Sequence, residues 1–169
     1  MRDGLHRLPH MDPKVRQKTL RLLTNGIYIL TSRSAESFGA ATITWVSQCS
    51  FKPPLLMAAV RKESTVYRCL AESRIAALHI LGKHQKPIAQ KFFSPTKGGS
   101  SDLNGEPFFE GETSAPILQN LPAYLECRVL DIREEYGDHA VVVLEVIEAR
   151  LLASVHPLTI PDSPWEYGG

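Results

Sequence analysis

The sequence predicts a mainly β domain with short helices, in which the strands close into a barrel. Its 169 residues are enough for one domain with one hydrophobic core. Runs rich in β-branched and aromatic residues recur along the chain. The two longest, residues 123–135 and 139–153, flank Tyr136-Gly137-Asp138 and are predicted to form a hairpin. Helical spacing of apolar residues occurs only in short stretches, so strands are expected to dominate.

Residues 1–11 are expected to form a flexible arm, and residues 12–169 a single folded domain. The arm has no apolar run of signal-peptide length, so secretion has no support. The 3 cysteines include no C-x-x-C pair and have no close histidine, which argues against a disulfide framework and a zinc site. A reducing, cytoplasmic compartment is therefore expected.

The first half of the domain is predicted to start with a helix and continue with three strands. Asp12-Pro13 suits a helix start, because Asp can cap the first turn and proline needs no N–H donor there. Pro53-Pro54 lacks backbone donors and should separate the second strand from the third. The predicted helix spans residues 14–23, and the predicted strands span residues 27–31, 40–50 and 55–60.

The middle of the chain alternates helix and strand. Ser64 is well placed as an N-cap, and the predicted elements are a helix over residues 64–73, a strand over 74–81 and a helix over 85–93. Residues 94–112 are rich in Gly and Pro and are predicted to be an irregular excursion that covers a site or a partner. The proline-rich residues 157–169 carry Trp165 and Tyr167, so this tail is expected to dock on the domain.

Charge and hydropathy exclude two classes of partner. Lys and Arg total 19 against 18 Asp and Glu, so no global positive field would attract nucleic acid or an anionic membrane surface. The hydrophobic fraction of 43% is ordinary for a globular protein, and membrane spanning is not expected.

Three segments together resemble one family in their order and spacing. They are Thr-Ile-Thr-Trp-Val-Ser-Gln-Cys-Ser-Phe-Lys-Pro-Pro-Leu over residues 42–55, Arg-Lys-Glu-Ser-Thr over residues 61–65, and residues 80–92. The chain resembles the flavin reductase-like, FMN-binding split-barrel family over most of residues 14–153. Its ending, Trp165-Glu166-Tyr167-Gly168-Gly169, is similar to that of flavoredoxin-like proteins and of the reductase modules of diflavin proteins. Lys52 stands where the family usually has Asp, and His79 where many members have Asn.

The resemblance implies a homodimeric split β-barrel that binds FMN, with FAD as the alternative. It also implies that NAD(P)H passes hydride to N5 of the flavin. Hydride transfer needs no acid–base pair, so a chain without a catalytic triad still fits an enzyme. The sequence has no Gly-rich Rossmann motif, so a nicotinamide would have to use the surface of the flavin pocket.

The strand over residues 40–50 is implied to meet the flavin ring. Hydroxyls and backbone N–H groups there suit the polar edge of a ring that gains negative charge on reduction. Alternation along one strand would prevent all of its residues from reaching the ring unless a bulge or strand end re-aims them. The alternative to flavin binding is an ordinary Thr-rich strand. In that case Trp45 would lie in the core or at a dimer interface, and Cys49 would fill apolar space. The implied contacts are Thr42, Ile43, Thr44, Trp45, Val46, Ser47, Cys49 and Ser50.

Residues 61–65 are implied to bind the phosphate of FMN. Arg61 and Lys62 supply cations, and Ser64 and Thr65 open a helix whose free N–H groups favour an anion. Without the resemblance, two basic residues at a helix start would be interpreted as solvated.

Three further contacts are implied downstream, namely His79, Gln85 and Phe92. The alternative for His79 is a hydrogen-bonded core histidine in a strand. Gln85 follows the strand end, where a loop could reach the ribityl chain or the phosphate, and Phe92 alternatively packs its helix.

Three functions remain open from the sequence. The first is an NAD(P)H-dependent flavin reductase that hands electrons to a protein or monooxygenase partner. The second is an electron-carrier module, which a partner such as a ferredoxin or rubredoxin would reduce. The third is a ligand-binding barrel or oligomerisation module that ignores FMN.

Overall fold

The computed structural model describes residues 11–169, so the predicted arm, apart from Met11, lies outside the described residues. The helices are α1 (Pro13–Leu20), α2 (Thr65–Ser73) and α3 (Lys86–Lys91). The strands are β1 (Tyr28–Arg33), β2 (Phe38–Ile43), β3 (Val46–Ser50), β4 (Leu55–Arg61), β5 (Ile75–Ile80), β6 (Asp102–Leu103), β7 (Glu106–Glu110), β8 (Pro116–Leu118), β9 (Ala123–Arg133) and β10 (His139–Leu151). Within residues 11–169, no helix has the length and apolar character needed to cross a membrane.

The main sheet has seven antiparallel strands and curls on itself. Its order is β2-β1-β5-β9-β10-β4-β3, so β2 and β3 are opposite edges, yet only Thr44 and Trp45 separate them in the chain. Three Cα steps of about 3.8 Å reach at most about 11 Å, so the two edges approach each other at this corner. Ile43 from β2 and Val60 from β4 accordingly share one buried core cluster. The sheet is a curled half-barrel.

Two predictions about the strands were wrong. The predicted single strand over residues 40–50 is two strands on opposite edges of the sheet, because the chain crosses between them at Thr44 and Trp45. The predicted irregular excursion over residues 94–112 contains β6 and β7, which form a small three-stranded sheet with β8. The β9–β10 hairpin and the helix that starts after Ser64 are confirmed.

The two halves of the curled sheet are covered unequally. Side chains of α2 pack inside the curl, in the same cluster as Leu30 of β1. The other face of β1 and β2 is covered by α3, the small sheet and the tail, which form a second core around Ile29. On β4 and β10, by contrast, the outward side chains Met57 and Val141 remain 45% and 43% exposed.

Candidate functional site

A cleft of about 890 Å³ opens where the chain crosses from β2 to β3. Its walls come from the end of β2, the Thr44-Trp45 corner, the end of β4, the start of α2, the segment after α3, and residues 160–167. This volume is within the range of small-molecule sites. The cleft therefore lies at the corner where the chain passes from one edge of the curled sheet to the other.

The start of α2 provides a polar wall, defined here as Arg61, Ser64, Thr65 and Arg68. Ser64 caps the nine-residue helix, and its Oγ donates to the carbonyl of Arg61 at 2.7 Å. The guanidinium of Arg68 is fixed by bonds of 3.1 Å to the carbonyl of Glu63 and to Oγ1 of Thr65. Two cations thus stand beside the positive end of a helix, which is an arrangement that attracts anions.

Gly39 allows β2 to lie directly against this helix start. A Cβ at residue 39 would come within 2.4 Å of the Cα and 2.6 Å of the N of Val66. Those atoms belong to the backbone and cannot move aside without shifting α2, so only glycine fits. The contact fixes the polar wall relative to the strand that leads to Thr44.

Thr44 lines the cleft and carries a buried hydroxyl without a partner. Its residue is only 7% exposed, and its hydroxyl is the one buried side-chain polar atom within residues 11–169 that has no hydrogen-bond partner. Buried hydroxyls are nearly always paired, so this one is suited to a ligand. Thr42 differs, because its hydroxyl already donates to the carbonyl of Ala89 at 2.7 Å.

An aromatic wall, defined here as Trp45, Phe93, Trp165 and Tyr167, lines another part of the cleft. The ring centroids of Trp45 and Tyr167 are 5.5 Å apart, and those of Phe93 and Trp165 are 4.8 Å apart. Such flat apolar surfaces suit a planar ring system.

The tail docks on the domain, as the sequence predicts. Leu158 is buried, and its backbone N–H donates to the carbonyl of Leu81 at 2.8 Å. Farther along, Arg21 pairs with Glu166 at 2.6 Å and donates to the carbonyl of Gly168 at 3.0 Å. These contacts hold the tail across the cleft.

His139 also lines the cleft, beside Trp45. Its ring centroid is 4.8 Å from that of Trp45, and its Nδ1 is 2.8 Å from a carboxylate oxygen of Asp138. The hydrogen bond to His139 lowers the pKa of Asp138. The imidazole is therefore oriented from one side by a carboxylate and from the other by an indole.

Residues 20–163 match the sequence profile of the family described as flavin reductase like domain. The chain belongs to the flavin reductase-like family. Among its curated relatives, diflavin flavoprotein A 1 of Synechocystis sp. is 32% identical over 146 residues, which cover 83% of this chain and 25% of that protein. The chain thus spans about a quarter of the length of the relative it matches.

Solved structures share the flavin reductase-like fold. The NADH:FAD oxidoreductase of Streptomyces globisporus C-1027 superposes with a TM-score of 0.74 at 24% identity, over 88% of this chain and 90% of that chain. The FMN-binding protein of Thermus thermophilus superposes with a TM-score of 0.70 at 20% identity, over 90% of this chain and 81% of that chain. At these identities the likeness establishes the fold alone.

The structure brings together part of the site expected for a flavin reductase-like protein. The predicted contacts that line the cleft are Thr42, Ile43, Thr44, Trp45, Arg61, Ser64, Thr65 and Phe92. Those that do not line it are Val46, Ser47, Cys49, Ser50, Lys62, His79 and Gln85. Most of the difference arises at the corner, where the chain leaves β2 and enters β3.

The residues of β3 are directed elsewhere because β3 starts a new strand on the other edge. Val46 packs against the main core. Ser47 and Cys49 are exposed, and the Oγ of Ser47 bonds only a neighbouring backbone carbonyl, at 3.3 Å. The strand end thus re-aims Thr44 and Trp45 into the cleft and leaves the later residues outside it.

His79 is placed in the core, away from the cleft. It is fully buried, its Nδ1 donates to the carbonyl of Ile29 at 3.1 Å, and its Nε2 accepts from the N–H of Leu118 at 3.0 Å. Both ring nitrogens are occupied, which leaves none for a ligand. Burial lowers the pKa of His79 to about 4, so the ring is neutral at physiological pH.

Lys62 and Gln85 serve the fold. The ammonium of Lys62 donates to the carbonyl of Glu134 at 2.9 Å and so ties the start of α2 to the end of β9. The side chain of Gln85 accepts from the N–H of Gly82 at 2.8 Å and donates to the carbonyl of Asn120 at 2.7 Å. Neither side chain faces the cleft.

Arg68, Phe93 and His139 are among the cleft residues that lie outside the predicted contacts. Arg68 has a local signal, because it follows the N-cap Ser64 by four residues and so lies one turn above it. Phe93 is 53% exposed whereas the adjacent Phe92 is buried, a difference that sequence spacing does not show. His139 enters the cleft only because β10 pairs with β4, opposite Arg61.

Proposed function

We propose that the chain binds FMN in this cleft and acts, as a homodimer, as an NAD(P)H-dependent flavin oxidoreductase. The observation that carries the proposal is the presence, in one cleft, of a cationic helix start and a buried hydroxyl without a partner. FMN combines a phosphate with a flat ring that has a polar edge, and these groups match the two walls. When bound, the flavin supplies the ability to accept hydride from a nicotinamide and pass electrons onward.

The polar wall would hold the phosphate. Arg61 and Arg68 supply positive charge, and the first N–H groups of α2 supply donors. Glu63 opposes them weakly, because its carboxylate is 84% exposed and lies 3.4 Å from Arg61, where water screens it. A phosphate monoester carries roughly 1.5 to 2 negative charges at pH 7, which the two arginines and the helix start would neutralise.

The aromatic wall and Thr44 would hold the ring. Trp45 and Tyr167 offer flat surfaces, and the hydroxyl of Thr44 offers a donor to a ring oxygen or nitrogen. A hydrogen bond between the ligand and this hydroxyl would increase the affinity, because the hydroxyl has no partner in the free protein.

The exposed face of β4 and β10 supports the homodimer. Met57 and Val141 point outward from this face, and Ala59 of the same strand lines the cleft. A second copy packed there would cover apolar surface directly beside the flavin site. Light scattering should report a dimer for the wild-type chain and a monomer for Met57→Lys with Val141→Glu. A matched charge at exposed Leu152 should leave the dimer intact.

The reductase activity is tested by rapid anaerobic mixing. The FMN-loaded protein is mixed with NADH or with NADPH while the absorbance of oxidised flavin is followed. We expect at least one nicotinamide to bleach the flavin. If dithionite bleaches it and neither nicotinamide does, the reductase assignment is contradicted while FMN binding stands.

An electron-carrier module is the second candidate function. It is favoured by the similarity to diflavin flavoproteins, of which this chain matches only a quarter of the length. In such a module a protein partner would reduce the flavin. Bleaching by reduced ferredoxin or rubredoxin, together with no reaction with NADH or NADPH, would favour the carrier over the reductase.

A further inference from the structure

We propose that residues 164–167, here called the strap, retain the flavin in the cleft, so that it stays bound between turnovers and does not exchange as a free substrate. This inference rests on the proposed function, because it takes flavin as the occupant. All four strap residues, Pro164, Trp165, Glu166 and Tyr167, line the cleft.

The strap is held at both of its ends by distant parts of the chain. Before it, Leu158 is 1% exposed and bonds the backbone beside β1 and β5. At its far end, the side chain of Arg21 bonds Glu166 within the strap and the carbonyl of Gly168 just after it. The strap thus lines the cleft between two anchored positions.

The strap aromatics pack on cleft residues and still offer surface to a ligand. Trp165 meets Phe93 edge to face and touches the second core. Tyr167 lies against Trp45 and remains 47% exposed. Burial of the remaining half raises the pKa of the Tyr167 phenol, so the ring is neutral at physiological pH. A flat occupant beside Trp45 would therefore also meet Tyr167.

The two anchors of the strap, Leu158 and the Arg21–Glu166 ion pair, differ in strength. The strap can therefore open at its weaker end. Leu158 is part of a buried core cluster, so its release would expose apolar surface. The side chain of Glu166 is 79% exposed and that of its partner Arg21 is 33% exposed, so their ion pair is a screened surface contact. The strap is therefore expected to open at Tyr167 while Leu158 stays buried, and flavin would leave during such openings.

The test is the dissociation rate of FMN, followed by the recovery of flavin fluorescence after dilution. Tyr167→Ala should raise the rate about tenfold, since an aromatic contact of this kind is worth roughly one such factor. Tyr167→Phe keeps the ring and should match the wild type. Tyr136→Ala removes an aromatic residue that is 91% exposed on the β9–β10 turn and should also match the wild type.

The ion pair between Arg21 and Glu166 is tested separately with Glu166→Gln. Loss of the ion pair should raise the dissociation rate about two- to fivefold at low salt, and added salt should bring the wild type close to this variant. Glu148→Gln, which breaks an exposed pair with Arg150 at 3.4 Å, should have no effect.

The outcomes separate the strap from the function. A wild-type chain that binds no FMN overturns both proposals. A wild-type chain that binds FMN, with a dissociation rate that Tyr167→Ala leaves unchanged, overturns the strap alone. Tighter FMN binding in Tyr167→Ala also overturns it, because the strap would then compete with the flavin.

Discussion

The polar wall and the aromatic wall differ in how the chain builds them. The polar wall comes from one continuous stretch, in which the end of β4, the N-cap Ser64 and the first turns of α2 follow one another. The aromatic wall joins the Thr44-Trp45 corner, the segment after α3 and the tail, which are far apart in sequence. One wall is formed by local structure, and the other exists only when distant elements have docked.

This difference assigns separate tasks to the two walls. A helix start with two arginines attracts charge through local geometry and long-range electrostatics. The aromatic wall and Thr44 recognise shape and a hydrogen bond, which need precise tertiary packing. FMN should depend on both walls, whereas riboflavin, which lacks the phosphate, should depend only on the second.

The largest effect is expected from removing the charge of the polar wall. Arg61→Ala with Arg68→Ala should weaken FMN binding about 100-fold, because charge-assisted hydrogen bonds to a phosphate are lost. Riboflavin affinity should change less than about twofold, since it has no phosphate for these arginines to bind. Fluorescence titration with both ligands provides the measurement.

Lys62→Ala is the matched control for this prediction. Lys62 is also basic and adjacent to Arg61, but its ammonium bonds the carbonyl of Glu134 outside the cleft. FMN affinity should stay at the wild-type value. If Lys62→Ala weakened FMN binding as much as the double variant, the polar wall would be wrongly assigned.

The next largest effect is expected on the stability of the protein, and it comes from His79. Its pKa of about 4 in the folded protein lies below the ordinary value of 6.5, so the unfolded chain binds the proton more readily between these pH values. The contribution of neutral His79 to the free energy of unfolding is present in full above about pH 6.5 and is lost as the pH falls toward 4. Between pH 7 and pH 5 the loss should be about 2 kcal/mol.

Urea unfolding at both pH values measures that loss. His79→Asn should be less stable at pH 7 and should lack this part of the pH dependence. His84→Asn, which changes an exposed histidine, should keep it. Equal pH dependence in His79→Asn and the wild type would show that His79 is not the buried neutral group described above.

The smallest effect is expected at Thr44. Thr44→Val removes the unpaired hydroxyl and should weaken both FMN and riboflavin by about five- to tenfold, the value of one hydrogen bond. The free protein should be as stable as the wild type or up to about 1 kcal/mol more stable, since no internal bond is lost. Thr42→Val serves as the control and should be destabilised, because its hydroxyl bonds the carbonyl of Ala89.

The same contrast between local and distant structure explains what the sequence could predict. The helix after Ser64 and the β9–β10 hairpin were predictable because a cap and a turn are local signals. The break at Thr44 and Trp45 was not, because β-forming residues continue through it and nothing local marks a crossing between sheet edges. The short strands β6 and β7 were not predictable either, because the glycines and prolines around them indicate an irregular segment.

Site residues were also predictable where local signals place them and not where distant contacts do. Ser64 and Thr65 could be predicted to start a helix that faces an anion, and both line the cleft. His79 could not be assigned, because strand composition does not say which buried partners will occupy its ring nitrogens. Trp165 and Tyr167 could be predicted to dock, but their place in the cleft depends on contacts with Phe93 and Trp45.

Titration of the purified wild-type chain with FMN and with riboflavin tests the central claim most directly. The polar wall and Thr44 together predict saturable binding of both, with FMN at least about tenfold tighter because the phosphate meets Arg61 and Arg68. Quenched flavin fluorescence would accompany binding. A chain that binds neither ligand, or binds both equally, would contradict the assignment of this cleft as an FMN site.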